Sequence, residues 1–124
     1  MIRGIRGAAT VDENKEEQII ETAKQLVGEM INKNNINPAN VASVFISLTP
    51  DLNAAFPAKV LRMFPNWDYV PVMCMQEIPV PGSLPRCIRL MIHVNTTKEQ
   101  TDIHHVYLGR ATVLRPDLQK QTID

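Results

Sequence analysis

The chain has 124 residues, 44% hydrophobic and 21% charged, and its 13 Lys+Arg balance its 13 Asp+Glu to a formal net charge of zero. That composition describes one globular domain able to bury a core without disulfide or metal staples. The missing basic excess argues against a nucleic-acid partner, and no apolar run nears the roughly 20 residues of a membrane helix, so no membrane partner is expected.

The opening Met-Ile-Arg-Gly-Ile-Arg-Gly carries no signal-peptide apolar region, which makes the cytoplasm the expected location. Cys74 and Cys87 form neither a CxxC motif nor a disulfide framework and read as reduced thiols. Residues 2–8 read as a first strand. Strand alternation puts Arg6 on one side with Ile2 and Gly4, and Arg3 on the other with Ile5. One of these two arginines therefore faces something enclosed, and parity alone does not decide which.

Thr10 and Glu13 have capping-box spacing. Ile19, Ile20, Ala23, Leu26, Val27, Met30 and Ile31 then recur at helical spacing, predicting a long helix over about 13–34 that Asn34 and Asn35 end. Asn37-Pro38 predicts a short helical turn. The nearly continuous apolar run 41–48 reads as a buried strand. Thr49-Pro50-Asp51-Leu52-Asn53 is a turn, and 54–64 a second helix with Pro57 in its first turn and Lys59 and Arg62 on one face.

Residues 68–75 read as a third strand, which Pro71 confines to an edge or bulged position. A loop with Pro79, Pro81, Gly82 and Pro85 follows. In 86–94, Ile88, Leu90, Ile92 and Val94 make one apolar face. Cys87, Arg89, Met91 and His93 make a mixed face suited to a pocket or a subunit interface. Residues 95–102 read as a polar loop, and 106–108 and 111–114 as strands with a bend at Gly109. Arg115-Pro116-Asp117 stops the last strand. One domain over 1–117 and a mobile tail over 118–124 are expected. The whole predicts an α+β domain, a mixed five-stranded sheet with two main helices. One sheet face is left uncovered, and oligomerisation is the simplest cover for it.

Most catalytic patterns are missing. No Walker or dinucleotide glycine motif occurs. His93, His104 and His105 lack zinc-site spacing, so no metal or other cofactor is expected. No His lies near Cys74 in sequence to activate it as a nucleophile. What remains is Arg6, Arg62, Arg89, Arg115 and Lys59, with few obvious acidic partners. Arg holds carboxylates through a rigid bidentate fork. With Glu77 as acceptor and Tyr107 as hydroxyl donor, the set suits a small polyanion bearing a hydroxyl. Each residue alone also fits a plainer role: a solvated helix face for Lys59 and Arg62, tail solvation for Arg115, core for Tyr107.

Several segments together, in one order, resemble the monofunctional bacterial chorismate mutases of the AroH class: Ile2-Arg3-Gly4-Ile5-Arg6-Gly7-Ala8, Thr49-Pro50-Asp51-Leu52, Phe56-Pro57-Ala58-Lys59, Val70-Pro71-Val72, Cys74-Met75-Gln76-Glu77, Pro81-Gly82-Ser83-Leu84-Pro85-Arg86-Cys87-Ile88-Arg89 and His105-Val106-Tyr107-Leu108. The resemblance runs from about residue 2 to 117. It implies a homotrimer of pseudo-α/β-barrel type with active sites between subunits. It also implies an isomerase that rearranges chorismate to prephenate in aromatic amino acid biosynthesis. Carried over by motif, Arg6 and Tyr107 would hold substrate carboxylate, and Cys74 and Glu77 would meet the ring hydroxyl. Arg89 would face the breaking ether oxygen. Phe56, Ala58, Lys59 and Arg62 would come from the neighbouring subunit, and Leu114 and Arg115 would close the cleft. Met73 stands where relatives often have Thr. Two other readings compete: a binding protein for a small carboxylate, and an oligomerisation domain that leaves the arginines unexplained.

Overall fold

The strictest alternation in the chain, Ile88, Leu90, Ile92 and Val94, lies at the centre of the sheet. The computed structural model describes residues 1–114. Its strands are β1 (Ile2–Thr10), β2 (Val41–Leu48), β3 (Val72–Gln76), β4 (Cys87–Asn95) and β5 (Val106–Leu108), in the order β3-β2-β4-β1-β5. β4 pairs antiparallel with β1 and β2, while β3 and β5 add parallel strands at the edges. The sheet is mixed, as the sequence predicts. β3 is an edge strand, so Pro71 costs no ladder bond where it stands just before β3; its carbonyl accepts from Val44 N–H at 2.9 Å.

Register lines up one apolar face across the strands. Ile5 opposes Ile92, Ala9 opposes Ile88, Val44 opposes Ile92 and Ile46 opposes Leu90. Helix α1 (Glu16–Asn34) covers that face with Ile19, Ala23, Leu26, Val27 and Met30, all buried. Gly7 lets the helix approach: a Cβ there would sit 2.4 Å from Met30 Sδ. Asn34, buried at the end of α1, donates to Met30 O and His104 O and accepts from His104 N–H. This bond set ties the helix to the approach to β5.

Four local expectations are corrected. The N-cap of α1 is Lys15, without a side-chain cap, and Thr10 instead accepts from Arg110 N–H at 3.0 Å. Glu13 exchanges hydrogen bonds with Gln18, five residues on, rather than capping with Thr10. The second helix is a 3-10 helix over Pro57–Met63, with Pro57 at its start and no side-chain cap; short connectors of this kind favour the tighter winding. Residues 111–114 are not a strand. Gly109, at φ 60, turns the chain into the 3-10 helix Gly109–Val113, which buries Ala111 beside Ala8, Cys87 and Tyr107. The third strand begins at Val72 rather than 68. Among the described residues no helix is long and apolar enough to cross a membrane. The tail 118–124 and the boundary at 117 lie outside the described residues.

Candidate active site

The sheet face turned away from α1 carries the polar side chains. Arg89 stands in its middle, on β4. Its register neighbours are small, Ala8 on β1 and Ser47 on β2, so the guanidinium has room on both sides. Tyr107 on β5 pairs with Ala8 and continues the row. Glu77 follows the end of β3, and its N–H donates to Leu48 O at 2.8 Å. Its Oε2 accepts from Ser47 Oγ at 2.8 Å and lies 2.9 Å from Arg89 Nε.

That ion pair is close but not aligned. Arg89 Nε is buried, and its N–H has no hydrogen-bond acceptor in line. The side chain as a whole is 41% exposed, so the outer end of the guanidinium faces open space. Such an exposed pair adds little to stability. Among the described residues the Tyr107 hydroxyl, also buried, has no partner. A buried polar group left unpaired is costly, and this one meets the poorly aligned Arg89 Nε in one place.

The place is a cleft of about 350 Å³ lined by Arg6, Ala8, Ser47, Arg89, Tyr107 and Leu114 among others. Structure resolves the parity question of the first strand. Arg6 enters the cleft, whereas Arg3 Nε donates to Lys98 O at 3.0 Å and its far end pairs with Glu99. Arg6 has no carboxylate partner among the described residues. Below the sheet's end, burial pushes the Cys87 thiol up, and the nearby Arg89 charge offsets part of that.

A second groove of about 550 Å³ lies across the edge strand and is lined by Phe56, Pro57, Lys59, Cys74 and Gln76 among others. Cys74 opposes Ile46 in register and so faces the other way from Met73 and Met75. Burial raises its thiol, and a hydrogen bond with the Ala58 backbone offsets part of the shift. Lys59 lies 3.5 Å from Glu16, a partner that the sequence did not reveal. Phe56, Arg62 and Met73 are exposed.

Within one chain the structure therefore gathers Arg6, Glu77, Arg89, Tyr107 and Leu114. It keeps Phe56, Ala58, Lys59, Arg62, Met73 and Cys74 out of that cleft. Arg115 lies outside the described residues. Ser47 was not anticipated; it sat unmarked in a run read only as a buried strand. The histidines are structural neighbours of the site: His105 Nδ1 accepts from Arg6 N–H at 2.9 Å, and His93 packs edge-on to Phe45. Among the described residues no three His, Cys, Asp or Glu side chains gather as a metal site would.

The comparisons agree along most of the chain. A family model described as Chorismate mutase type I matches residues 2–118. Chorismate mutase AroH of Bacillus subtilis (strain 168) is 52% identical over 118 residues, covering 95% of this chain and 93% of the relative. Chorismate mutase AroH of Thermus thermophilus is 43% identical over 120 residues, covering 96% and 98%. The solved chorismate mutase from Clostridium thermocellum superposes with a TM-score of 0.86 at 46% identity, covering 90% of this chain and 98% of that one. The chain belongs to the chorismate mutase type I family.

Proposed function

We propose that the protein rearranges chorismate to prephenate in the cleft around Arg89, as an isomerase of aromatic amino acid biosynthesis. The supporting observation is the convergence of Arg6, Arg89 and the unpartnered Tyr107 hydroxyl on one cleft, with Glu77 beside Arg89. The [3,3] rearrangement happens within one molecule. The ether C–O bond breaks, a C–C bond forms and the π bonds shift, and no proton or leaving group moves.

Two effects remain for the protein to supply. The first is holding a flexible dianion in a compact chair-like form, an orientation effect. Arg6 and Tyr107 take carboxylate, and the free oxygen of Glu77 takes the ring hydroxyl. The second is electrostatic. C–O cleavage runs ahead of C–C formation, so negative charge grows on the ether oxygen. The outer end of Arg89, already fixed in the sheet, meets that charge without reorganising.

A single chain offers only part of such a site. Phe56, Ala58, Lys59, Arg62 and Cys74 stand in or beside the other groove, and Phe56 is 80% exposed. In a homotrimer the neighbouring copy would bring these residues to the mouth of the cleft, with Met73 beside them and Arg115 closing over the substrate. The exposed Met73, Met75, Ile78 and Val80 of β3 and its following loop suit burial between subunits. The two free cysteines suit a reducing cytoplasm.

The test is the loss of chorismate absorbance with the purified protein and with Arg89→Ala. Removing one preorganised donor to a developing oxyanion costs on the order of 100- to 1,000-fold in kcat. Turnover close to the unsubstituted protein's in the folded variant would overturn the assignment of Arg89.

A further inference from the structure

Glu77 is held twice by adjacent residues of β2. Its backbone N–H donates to Leu48 O at 2.8 Å, and its carboxylate Oε2 accepts from Ser47 Oγ at the same distance. The same Oε2 lies 2.9 Å from Arg89 Nε. Ser47 is also the direct cross-strand neighbour of both Arg89 and Met75, so its hydroxyl sits between the two strands that carry the charges.

From this geometry we infer that Ser47 is a positioning residue for the rearrangement: its hydroxyl fixes which oxygen of Glu77 turns to Arg89 and which is left for substrate. The inference rests on the reading of Glu77 as the acceptor for the ring hydroxyl. Without the Ser47 bond, a carboxylate on a rotatable side chain at the end of an edge strand has two acceptors' worth of freedom. It can then swing to cover the outer end of the Arg89 guanidinium, the part that must meet the ether oxygen. Ser47 prevents this by holding Oε2 through its hydroxyl. Ser47 touches no reacting atom in this account and acts through Glu77 and Arg89.

The experiment is a double-mutant cycle with Ser47→Ala, Glu77→Ala and both together, with Ser47→Thr as the conservative variant. Single-turnover rates with chorismate are measured at high enzyme concentration, beside thermal unfolding of each variant. A hydrogen bond to a charged group predicts a loss of about tenfold for Ser47→Ala, carried by kcat more than KM. Ser47→Thr should recover most of it, since the hydroxyl is restored. In the Glu77→Ala background, Ser47→Ala should cost nothing further, because there is no carboxylate left to position. If Glu77→Ala is slow but the two losses simply multiply, Ser47 does not act through Glu77 and the inference fails alone. If Glu77→Ala turns over like the unsubstituted protein, the reading of Glu77 fails and takes the inference with it. Full activity in Ser47→Ala overturns the inference directly.

Discussion

Gly7→Ala tests whether the sheet can hold its polar face while its other face is pressed against α1. Gly7 lies between Arg6 and Ala8, opposite Leu90 and Val106. An added Cβ would point to the helix, 2.4 Å from Met30 Sδ, 3.0 Å from Met30 Cε and 3.2 Å from Leu26 Cδ1. The first contact is about 1 Å short of van der Waals separation. Met30 is flexible by nature, but both it and Leu26 are fully buried, so neither has solvent to move into. Overpacking of this kind costs about 1–3 kcal/mol. Replacing Gly with Ala returns about 0.4–1 kcal/mol through the unfolded chain. The expected net loss is about 1–2 kcal/mol, or a fall in Tm of several degrees for a domain of this size. Urea denaturation and calorimetry measure it. The decisive comparison is the same substitution in a Met30→Ala background, where the Met30 clash is gone, Leu26 gains room to give, and Gly7→Ala should turn neutral or stabilising. An equal cost in both backgrounds would refute the steric account.

Tyr107→Phe should leave Tm unchanged or slightly raised, because the buried hydroxyl it removes has no partner; KM for chorismate should rise about tenfold, and an unchanged KM would remove Tyr107 from the site. Arg89→Ala chains carry an intact neighbouring wall, and Arg62→Glu chains an intact cleft. Co-refolding the two in equal amounts should restore about a quarter of the sites if each site spans two copies, and recovery no greater than the two separate proteins would refute a shared site. Iodoacetamide should label Cys74 and Cys87 slowly at pH 8, because burial raises both thiols and leaves little thiolate. Rapid labelling of the folded protein, followed by mass spectrometry, would contradict that. The same shifts have a sign for stability: the unfolded chain loses these protons first, so stability should decline as pH rises above about 8.5.

What could be read along the chain was whatever alternates or repeats locally. The apolar set of β4 and the helical spacing of α1 state their own partners, and Pro71 announces an edge. The misread segments are those decided by distant contacts. Residues 111–114 look like strand until Ala111 finds Ala8, Cys87 and Tyr107. Thr10 has capping spacing, yet its hydroxyl goes to Arg110, 100 residues away. The candidate site divides the same way. Arg6, Glu77, Arg89 and Tyr107 stood out as charges or a hydroxyl in strand-like runs. Ser47 did not, because its meaning comes from Glu77, 30 residues on, and from a register no local pattern encodes. Nor could spacing tell that Cys74 lines the edge-strand groove while Glu77 turns to Arg89, since that depends on where β3 enters its pairing with β2.

Charge balance carries the argument for a shared site further than shape does. Within one chain the cleft holds Arg6 and Arg89 against Glu77, a net single positive charge facing a substrate with two carboxylates. A water-excluding site that leaves one carboxylate uncompensated would pay heavily in desolvation. Lys59 does not supply the missing charge from its own chain, since it lies in the other groove 3.5 Å from Glu16. Arg62 makes no ion pair among the described residues and is exposed. An unpaired arginine on the short 3-10 helix that follows the exposed Phe56 is a poor device for stabilising its own chain and a good one for a neighbour's. Seated over the mouth of the adjacent cleft, Arg62 would bring the charge to balance and Phe56 would exclude water around it. That is why the cleft with Arg89, if it is the site, should bind the dianion tightly only when a second copy closes it.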